Sequence, residues 1–406
     1  MVYTYNTGME VITMPWKEAH VLDERLEFIC MCLKGDYSMA ELCREFGISR
    51  PTGYKFAERY EQEGPQGLHD LSRAPHSHPN AIPKEIEDMI LGAKAAHPTW
   101  GPRKLLPWLQ RKIPGIHWPV NSTTGEILKR HGLTCSRRCR RKATPSSTLT
   151  LPDGPNAVWC ADLKGWFRTR DGRRCDPLTI MDAHSRYLLR CQVLAKTDTA
   201  TVMPIFTAAF REFGLPAVIR TDNGSPFSSV GLGGLSHMSL WFLKLGITPE
   251  RIRPGCPYEN GSHERMHRTL KNDICRDPAA NLRAQQRDFD GYLPEYNEER
   301  PHEALGYQTP AEFYVPSLRR YPLRVPEFTY PEEFTVRSVH KNGCIRWGGH
   351  EIFISEVFSG EWVGFLHVTD RHWKVYIGPL AVGVLDESTK RLLPEKSAKQ
   401  FLQLKG

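Results

Sequence analysis

Three carboxylates in the chain stand in settings that need an explanation. Asp162 lies inside the apolar β-type run AVWCADLKGWF, where burial without a partner would cost it several kcal/mol of desolvation. Asp222 ends the run AVIRTD, and the Asn-Gly pair after it makes a turn at a strand's carboxyl end, where ligands collect in open α/β sheets. Glu264 lies on a helix reached through GCPYENGS. Each acid is therefore a candidate site residue held by a different element.

The helix that carries Glu264, within NGSHERMHRTLK, has two distinct faces. At about 100° per residue, Arg268 and Lys271 fall within roughly 60° of Glu264. The apolar side chains form a separate stripe, which comprises Met266, Leu270 and Ile274. If that stripe packs against a sheet, Glu264 faces the strand ends. The neighbouring side chains of His263, Arg268 and Lys271 are then predicted to bind phosphate oxygens.

Three acids brought together repel one another, and a divalent metal relieves that repulsion. Hard oxygen ligands suit Mg²⁺ or Mn²⁺. Two such ions, about 3.5–4 Å apart, stabilise both the attacking and the leaving oxygen of an in-line phosphoryl displacement. Taken alone, Asp222 is better explained as a turn residue, and Glu264 as half of an i,i+4 ion pair with Arg268. The sequence predicts a phosphoryl-transfer site if the three acids meet.

Strand and helix patterns around these acids predict an α/β core with a mixed sheet. Strands are expected in AVWCADLKGWF, in DPLTIMDAHSRYLLRCQVL with a turn at DAHS, and in PAVIRTD. The segment TATVMPIFTAAFREFG has the pattern of a helix, and further helices are predicted near 235–246, 260–276 and 281–297. Beyond about residue 330, runs separated by Asn-Gly, Gly-Gly and Thr-Asp turns predict a small all-β barrel or sandwich.

The N-terminal region is predicted to be all-α. Apolar spacing predicts a first helix over 18–34, and two more helices follow on either side of a GIS turn. Helix, glycine turn, helix is the helix-turn-helix layout. Its second helix would direct toward a DNA major groove the side chains of Arg50, Thr52, Tyr54 and Lys55. A helical bundle that binds no DNA has the same pattern, so both interpretations stand on this segment alone.

Three more helical segments, near 84–96, 102–113 and 122–131, resemble a second helix-turn-helix unit. Two such units in series suit a long DNA end better than one short operator. The run SRRCRRK that follows has five cations and no acid. Those cations are Arg137, Arg138, Arg140, Arg141 and Lys142. They are predicted either to bind DNA phosphates or to form a solvated linker.

Composition narrows the class of protein. The 406 residues are enough for two to four domains, and the formal net charge is +8. No apolar stretch approaches about 18–20 residues, and the start of the chain lacks the layout of a signal peptide, so a cytoplasmic location is expected. Eleven cysteines are scattered without a CxxC pair. Reduced, mostly buried thiols are therefore expected rather than disulfides or zinc.

Residues 156–315 resemble the integrase catalytic core that retroviral integrases share with many bacterial insertion-sequence transposases. The segments that carry the resemblance are WCADLKG, VIRTDNGSPF, PGCPYENGSHERMHRTLK and YNEERPHEALGYQTPAEFY. The resemblance implies a ribonuclease H-like fold with a catalytic and metal-binding triad of Asp162, Asp222 and Glu264. In the family the Glu stands four residues after the Asn of the turn, which selects Glu264 over Glu259.

The chain departs from the retroviral pattern in two ways. The interval between Asp222 and Glu264 contains 41 residues, somewhat more than in retroviral integrases, and the segment 228–237, SSVGLGGLSH, is the expected insertion. The His-His-Cys-Cys zinc domain of retroviral integrases is absent from the sequence. Helix-turn-helix segments stand in its place, so no zinc is predicted.

The resemblance extends over nearly the whole chain and implies a multidomain transposase. The expected domains are a helix-turn-helix domain (1–68), a second helix-turn-helix domain (69–134), a basic linker (135–155), a ribonuclease H-like integrase core (156–316) and a small β-barrel domain with a tail (317–406). By resemblance, Lys271 corresponds to a lysine that contacts DNA. Asp182 is assigned to a turn rather than to a fourth metal ligand. Arg300 and His302 either lock the last core helix to the sheet or touch DNA.

A protein of this kind would bind the terminal inverted repeats of its insertion sequence, cut a strand there and transfer the 3′-OH end into target DNA. The resemblance implies two Mg²⁺ ions per active site, for which Mn²⁺ can substitute. The expected partners are double-stranded DNA and further copies of the chain, as a homodimer or higher oligomer, in the bacterial cytoplasm at the nucleoid and without a membrane. The alternative is a domesticated DNA-binding regulator with an inactive core, which the presence of all three acids disfavours.

Overall fold

The computed structural model describes residues 20–72, 81–134, 149–163, 165–229 and 232–394. The chain divides into two compact units, Met1–Ala81 and Ile82–Gly406. The cations of the basic run, Arg137, Arg138, Arg140, Arg141 and Lys142, fall outside the described residues. No helix within the described ranges has both the length and the apolar composition needed to cross a membrane. Of the cysteines in these ranges, only Cys43, Cys160, Cys175 and Cys191 are buried, fewer than the composition suggested.

The first unit contains three helices in the predicted helix-turn-helix layout. They are α1 (Val21–Lys34), α2 (Met39–Glu45) and α3 (Arg50–Glu63). Ser38 and Glu41 form a capping box at the start of α2, and the Ser49 side chain accepts a hydrogen bond from the backbone N–H of Thr52 at the start of α3. The helices enclose a small apolar core of Phe28, Ile29, Leu42, Cys43 and Leu68.

Two glycines set how α3 leaves the turn. Gly47 has a φ of +62°, a conformation that glycine adopts without strain. Gly53 lies against α2, and a Cβ atom at Gly53 would come within 2.6 Å of the Cys43 Sγ. Because α3 packs through Gly53, the side chains of Arg50, Tyr54 and Lys55 on its other side are exposed to solvent.

The second unit begins with three helices that also enclose their own core. They are α4 (Lys84–Ala96), α5 (Pro102–Lys112) and α6 (Asn121–Arg130), each within a residue of the predicted bounds. Buried aromatic and aliphatic side chains fill the space between them: Ile90, Trp100, Leu105, Leu106, Leu109, Trp118, Ile127 and Leu128. Pro102 begins α5 at a position where its missing N–H costs nothing.

A mixed six-stranded sheet forms the centre of the second unit. Its strands are β1 (Val158–Leu163), β2 (Phe167–Arg168), β3 (Arg174–Asp182), β4 (Leu188–Leu194), β5 (Val218–Thr221) and β6 (Thr248–Arg251). The order is β2-β3-β1-β5-β6, with β4 also paired to β3. Strand β1 is antiparallel to β3 and parallel to β5, and β5 is parallel to β6. The predicted mixed α/β sheet is therefore confirmed.

Helices cover both faces of this sheet. They are α7 (Thr199–Phe213), α8 (His237–Lys244), α9 (Gly261–Leu270) and α10 (Leu282–Pro294), the last two extended by π-helical turns at Lys271–Cys275 and Glu295–Glu299. One face, with Trp159 and Ile180, packs against α7 and α8. The other face, with Met181, packs against α9 and α10. Since strand side chains alternate, Asp162 and Thr179 belong to the face that α9 covers.

The C-terminal region is all-β, as predicted. Its strands are β7 (Phe334–Ser338), β8 (Cys344–Trp347), β9 (His350–Phe353), β10 (Trp362–Thr369), β11 (His372–Ile377), β12 (Leu380–Asp386) and β13 (Arg391–Pro394). Five of them form an antiparallel sheet in the order β13-β12-β11-β10-β7. Because β8 and β9 pair only with each other, no pairing among the described strands closes this sheet into the expected barrel.

The 228–237 segment, expected as an insertion, links the core to the all-β region. Its Leu235 shares an apolar cluster with Leu240 and Leu243 of α8 and with side chains of the β-sheet such as Phe358 and Phe365. Lys244 at the end of α8 adds an ion pair with Glu361 at 2.8 Å. The all-β region is thus attached to the core by buried apolar contacts as well as by the chain.

Candidate active site

Asp162 is placed by the antiparallel pairing of β1 with β3. It stands opposite Thr179, on the sheet face that α9 covers. Its side chain is 20% exposed, so the carboxylate lies at the margin of the core and keeps access to solvent. The desolvation argument from the sequence therefore holds in a milder form, because the structure leaves one side of this acid open.

Asp222 is placed beside Asp162 by the parallel pairing of β1 with β5. The register pairs Cys160 with Arg220; Asp162 follows Cys160 by two residues within β1, and Asp222 follows Arg220 by two residues, directly after the end of β5. Adjacent strands lie about 4.8 Å apart, so the two acids reach the same carboxyl edge of the sheet on the same face. Asp222 also accepts a hydrogen bond from the backbone N–H of Gly224 at 3.1 Å. A Cβ atom at Gly224 would approach the Asp222 Oδ2 to 2.9 Å, so glycine suits the close turn.

Helix α9 carries Glu264 on its exposed face because its opposite face is buried. The buried side chains are His263, Met266, His267 and Leu270. Met266 and Leu270 pack with Met181 in the core under the sheet, which confirms the predicted apolar stripe. The exposed face carries Glu264, Arg268 and Lys271. Within the described part of the chain no ion pair joins Glu264 to Arg268, so the structure gives no support to a helix-stabilising pair.

A buried hydroxyl and two imidazoles fix α9 against β3. The Thr179 Oγ1 lies 2.7 Å from the His263 Nε2 and 2.6 Å from the His267 Nε2. The same hydroxyl lies 3.2 Å from the backbone carbonyl oxygen of Asp162, which can only accept. If Thr179 gives its single proton to that carbonyl, both imidazoles donate from Nε2. The His267 Nδ1 lies 3.7 Å from the Asp162 Oδ2, a contact that is an ion pair only when the ring is protonated on both nitrogens.

The structure corrects the prediction that His263 binds DNA. Its side chain is fully buried, and burial lowers the pKa of its imidazole to about 3, so the ring is neutral. A neutral, buried imidazole cannot form an ion pair with a DNA phosphate. The interval of four residues between His263 and His267 was the sequence signal for a shared buried partner, since residues i and i+4 lie on one helix face.

Donor chemistry around Asp162 suits a divalent cation. Ligand atoms of Asp162, His263 and His267 all lie within 4.8 Å of one another. Both imidazoles are engaged by Thr179 through Nε2, however, and magnesium prefers oxygen ligands. Asp162 and Asp222 supply such oxygens from adjacent strand ends. The carboxylates therefore fit the metal that the sequence predicted, and the imidazoles support the backbone behind one of them.

Other acids and bases of the region have structural partners. Glu259 accepts hydrogen bonds from the backbone N–H and the Nε of Arg253, at 2.7 and 2.6 Å, and holds the loop before α9. Asp182 accepts from Asn156 and twice from Ser185, which agrees with its assignment to a turn.

Arg300 and His302, which the sequence left open, are structural. Arg300 is 4% exposed and donates to Asp273 at 2.6 Å, and its guanidinium lies 5.5 Å from the ring centre of Trp100. Burial lowers the pKa of His302 to about 3 and leaves the ring neutral. Arg300 thus joins the end of α10 to the helices that precede the core, and neither side chain lies on an open surface.

Comparisons with known proteins agree with this organisation. Two profiles, each described as an integrase core domain, match residues 152–257 and 245–310. A helix-turn-helix domain profile matches residues 24–76, and a homeodomain-like domain profile matches residues 52–128. The matches to the integrase core meet within the segment that contains β6, and together they include Asp162, Asp222 and Glu264.

The relatives with curated descriptions are proteins of bacterial insertion elements. The chain is 28% identical over 190 residues to the insertion element IS407 uncharacterized 31.7 kDa protein of Burkholderia multivorans, covering 46% of this chain and 66% of that protein. It is 26% identical over 230 residues to transposase InsD for insertion element IS2 of Escherichia coli, covering 53% of this chain and 73% of the relative. The chain thus spans about two thirds of the length of the relatives it matches.

Two solved structures similar to the chain are of retroviral proteins. The HTLV-2 integrase catalytic core domain in complex with magnesium covers 40% of the chain at 16% identity, with a TM-score of 0.30. A simian T-cell lymphotropic virus intasome in complex with a PP2A regulatory subunit covers 75% of the chain at 15% identity, with a TM-score of 0.34.

Proposed function

We propose that this chain is a transposase of the integrase-core family, which is found with helix-turn-helix domains in insertion elements. It binds the terminal inverted repeats of its own element, cuts a strand there and joins the freed 3′-hydroxyl to target DNA. Both steps are phosphoryl transfers at one site, with water as the first nucleophile and the 3′-hydroxyl as the second. No covalent intermediate between protein and DNA is needed, so no Ser or Tyr nucleophile is assigned.

One observation carries this proposal. The parallel register of β1 and β5 brings Asp162 and Asp222 to one sheet edge, and the Thr179 contacts hold α9, with Glu264, against the same face. Three carboxylates drawn to one sheet edge would repel one another unless a cation bound between them. Asp162, Asp222 and Glu264 would hold Mg²⁺ or Mn²⁺, which stabilises the attacking and leaving oxygens of the displacement.

The remaining charges of the site are arranged to bind the DNA backbone. Arg268 and Lys271 share the exposed face of α9 with Glu264, where they can approach phosphates on either side of the reacting one. Reading of the repeat is assigned to α3, whose Arg50 and Lys55 are exposed in the first turns, the part of a recognition helix that reaches base edges. Two element ends have to be held together, so the active form is proposed to be at least a dimer.

The test is cleavage and joining of a labelled duplex that carries the element's own end. We expect Mg²⁺- or Mn²⁺-dependent nicking by the intact chain and transfer of the cut strand to a second duplex. Binding of the end without nicking in either metal would instead identify a DNA-binding regulator with an inactive core. Nicking without joining would identify a nuclease, because a nuclease uses only water as nucleophile.

A further inference from the structure

A groove beside the proposed site is lined by an exposed tryptophan. The groove has a volume of about 360 Å³, and its lining residues are Gly165, Trp166, Phe167, Lys271 and Cys275. The side chain of Trp166 is 56% exposed, although tryptophan usually buries most of its large apolar surface. Gly165 has a φ of +86°, so the backbone turns there just before the indole.

Cations surround this indole. The guanidinium carbons of Arg168 and Arg174 lie 5.7 and 5.4 Å from the centre of the Trp166 ring, within the range of a cation–π interaction. Lys271 lines the same groove. Asp176, which accepts a hydrogen bond from the Arg174 Nε at 2.7 Å, is only 4% exposed.

The groove lies just past the end of β1 that carries Asp162 and beside the helical segment that follows α9. Trp166 follows Asp162 by four residues, just past the end of β1. Lys271 follows Glu264 by seven residues, which is about two turns of helix on the same face. A strand whose phosphate reaches the acids therefore has neighbouring nucleotides within reach of the indole.

We propose that Trp166 stacks on an unpaired nucleobase of the DNA strand held at the site, while Lys271 and the two arginines bind the phosphates beside that base. The inference rests on the proposed function, since it requires DNA at this edge. An open aromatic ring in a basic groove is the arrangement that binds single-stranded nucleic acid without regard to sequence. In a duplex the faces of the bases are covered by their neighbours, so a ring can stack only on a base that has left the helix.

The test uses the full chain and two duplexes of the same arbitrary sequence, one blunt and one forked by a short unpaired tail that carries 2-aminopurine. Intact protein should prefer the forked duplex, and the fluorescence of the 2-aminopurine should fall as it stacks on the indole. Trp166→Ala should weaken forked binding about five- to a hundredfold, leave blunt binding unchanged and abolish the fluorescence loss. Trp166→Phe should restore most of the preference because it keeps an aromatic face.

Two further variants separate stacking from charge and from general surface changes. Lys271→Ala should weaken binding of the forked and blunt duplexes equally, since a phosphate contact does not depend on an unpaired base. Trp362→Ala removes a tryptophan of similar exposure, 49%, on the all-β region and should keep the preference for forked DNA. If Trp166→Ala binds and nicks DNA with an unchanged preference, stacking is disproved and the proposed function stands. If intact protein binds neither duplex, the stacking proposal is wrong, whereas the proposed function is decided separately by cleavage of the element's own end.

Discussion

The two helical regions that precede the core have similar layouts, but their basic side chains have different surroundings. Helices α1 to α3 belong to a compact unit of their own, and the exposed start of α3 carries Arg50 and Lys55. Helices α4 to α6 belong to the unit of the core, and basic side chains at the end of α5 are paired with it. Arg111 lies 2.9 Å from Glu312, and Lys112 lies 3.3 Å from Glu299.

The contacts of α5 with the core extend beyond ion pairs. Trp108 donates from its indole nitrogen to Glu299 at 3.2 Å, and Trp100 lies under the guanidinium of Arg300. A helix-turn-helix pattern therefore does not by itself give a DNA-reading role. The two regions differ in whether the cations of α3 and α5 face solvent or face acids of the same chain. On this basis we propose that α3 reads the DNA, whereas α5 holds the second region against the core.

The largest effect is expected at the acids, which belong to neither helical region. Asp162→Asn, Asp222→Asn or Glu264→Gln should each reduce cleavage and joining at least about a hundredfold, because losing a ligand of a metal pair costs several kcal/mol of barrier. Binding to the end DNA should hardly change. Single-turnover cleavage and a binding titration measure the two effects. Asp288→Asn, at an exposed acid on α10, is the matched control and should keep full activity.

Truncation compares the two helical regions directly. A chain of residues 82–406 should lose its preference for the element's end over random DNA, because α3 is gone, yet keep a melting temperature close to that of the same unit in the intact chain. A chain of residues 135–406 should melt at a lower temperature, since removing α5 uncovers Arg300 and Glu299. Competition binding and calorimetry measure these properties. Selection of the end by residues 135–406 would show that the core or the all-β region reads it, and selection by residues 82–406 alone would assign the reading to α4 to α6.

Much of the fold could be predicted from patterns, because most elements have strong local signals. The helices of both N-terminal regions have apolar stripes and caps, and the strands that carry Asp162 and Asp222 are continuous apolar runs. Strand β6 was missed because its sequence, TPER, is polar and contains a proline. Such a segment is typical of a sheet edge. It forms a strand because it pairs with β5, and its own composition does not predict one.

The acids of the candidate site could be predicted from the sequence, but the residues that hold these acids in place could not. The spacing of Asp162, Asp222 and Glu264 resembles a family pattern, whereas the contact of Thr179 with His267 joins residues far apart in sequence and depends on the tertiary fold. His263 was misassigned because its charge was assumed without knowing its burial. Trp166 gave no local signal, since an exposed and a buried tryptophan look the same in a sequence.

Next in size is the contribution of α3 to sequence discrimination. Arg50→Ala should reduce the preference for the element's end over random DNA by about 1–3 kcal/mol, the range for one lost base contact, with little change in binding to random DNA. Arg111→Ala is the matched control on α5, because its guanidinium is paired with Glu312 and should not read bases. Competition binding measures both. An equal loss from the two variants would mean that both regions read DNA.

A smaller effect is expected where α5 meets the core. Partial burial tends to raise the pKa of Glu299, but hydrogen bonds from Trp108 and Lys112 outweigh it and hold the pKa below its ordinary value. A lowered carboxyl pKa stabilises the fold above the unfolded value of about 4.3, and this stabilisation is lost as pH falls through the folded value. Glu299→Gln should therefore cost roughly 1 kcal/mol of unfolding free energy at pH 7 and less at pH 4. Denaturant titrations of residues 82–406 at both pH values measure it, and a pH-independent cost would contradict the ionic contact.

The smallest effect compares one lysine from each region. Lys55 is exposed on α3 and Lys112 is paired with Glu299. A lysine that binds a DNA phosphate releases about one counterion, so Lys55→Ala should make the slope of log K against log salt concentration shallower by roughly 0.9. Lys112→Ala should leave the slope unchanged, since its charge is already balanced within the protein. Binding to random duplex DNA over a series of salt concentrations gives both slopes. A shallower slope for Lys112→Ala and not for Lys55→Ala would reverse the assignment, because the helices packed on the core would then carry the DNA backbone.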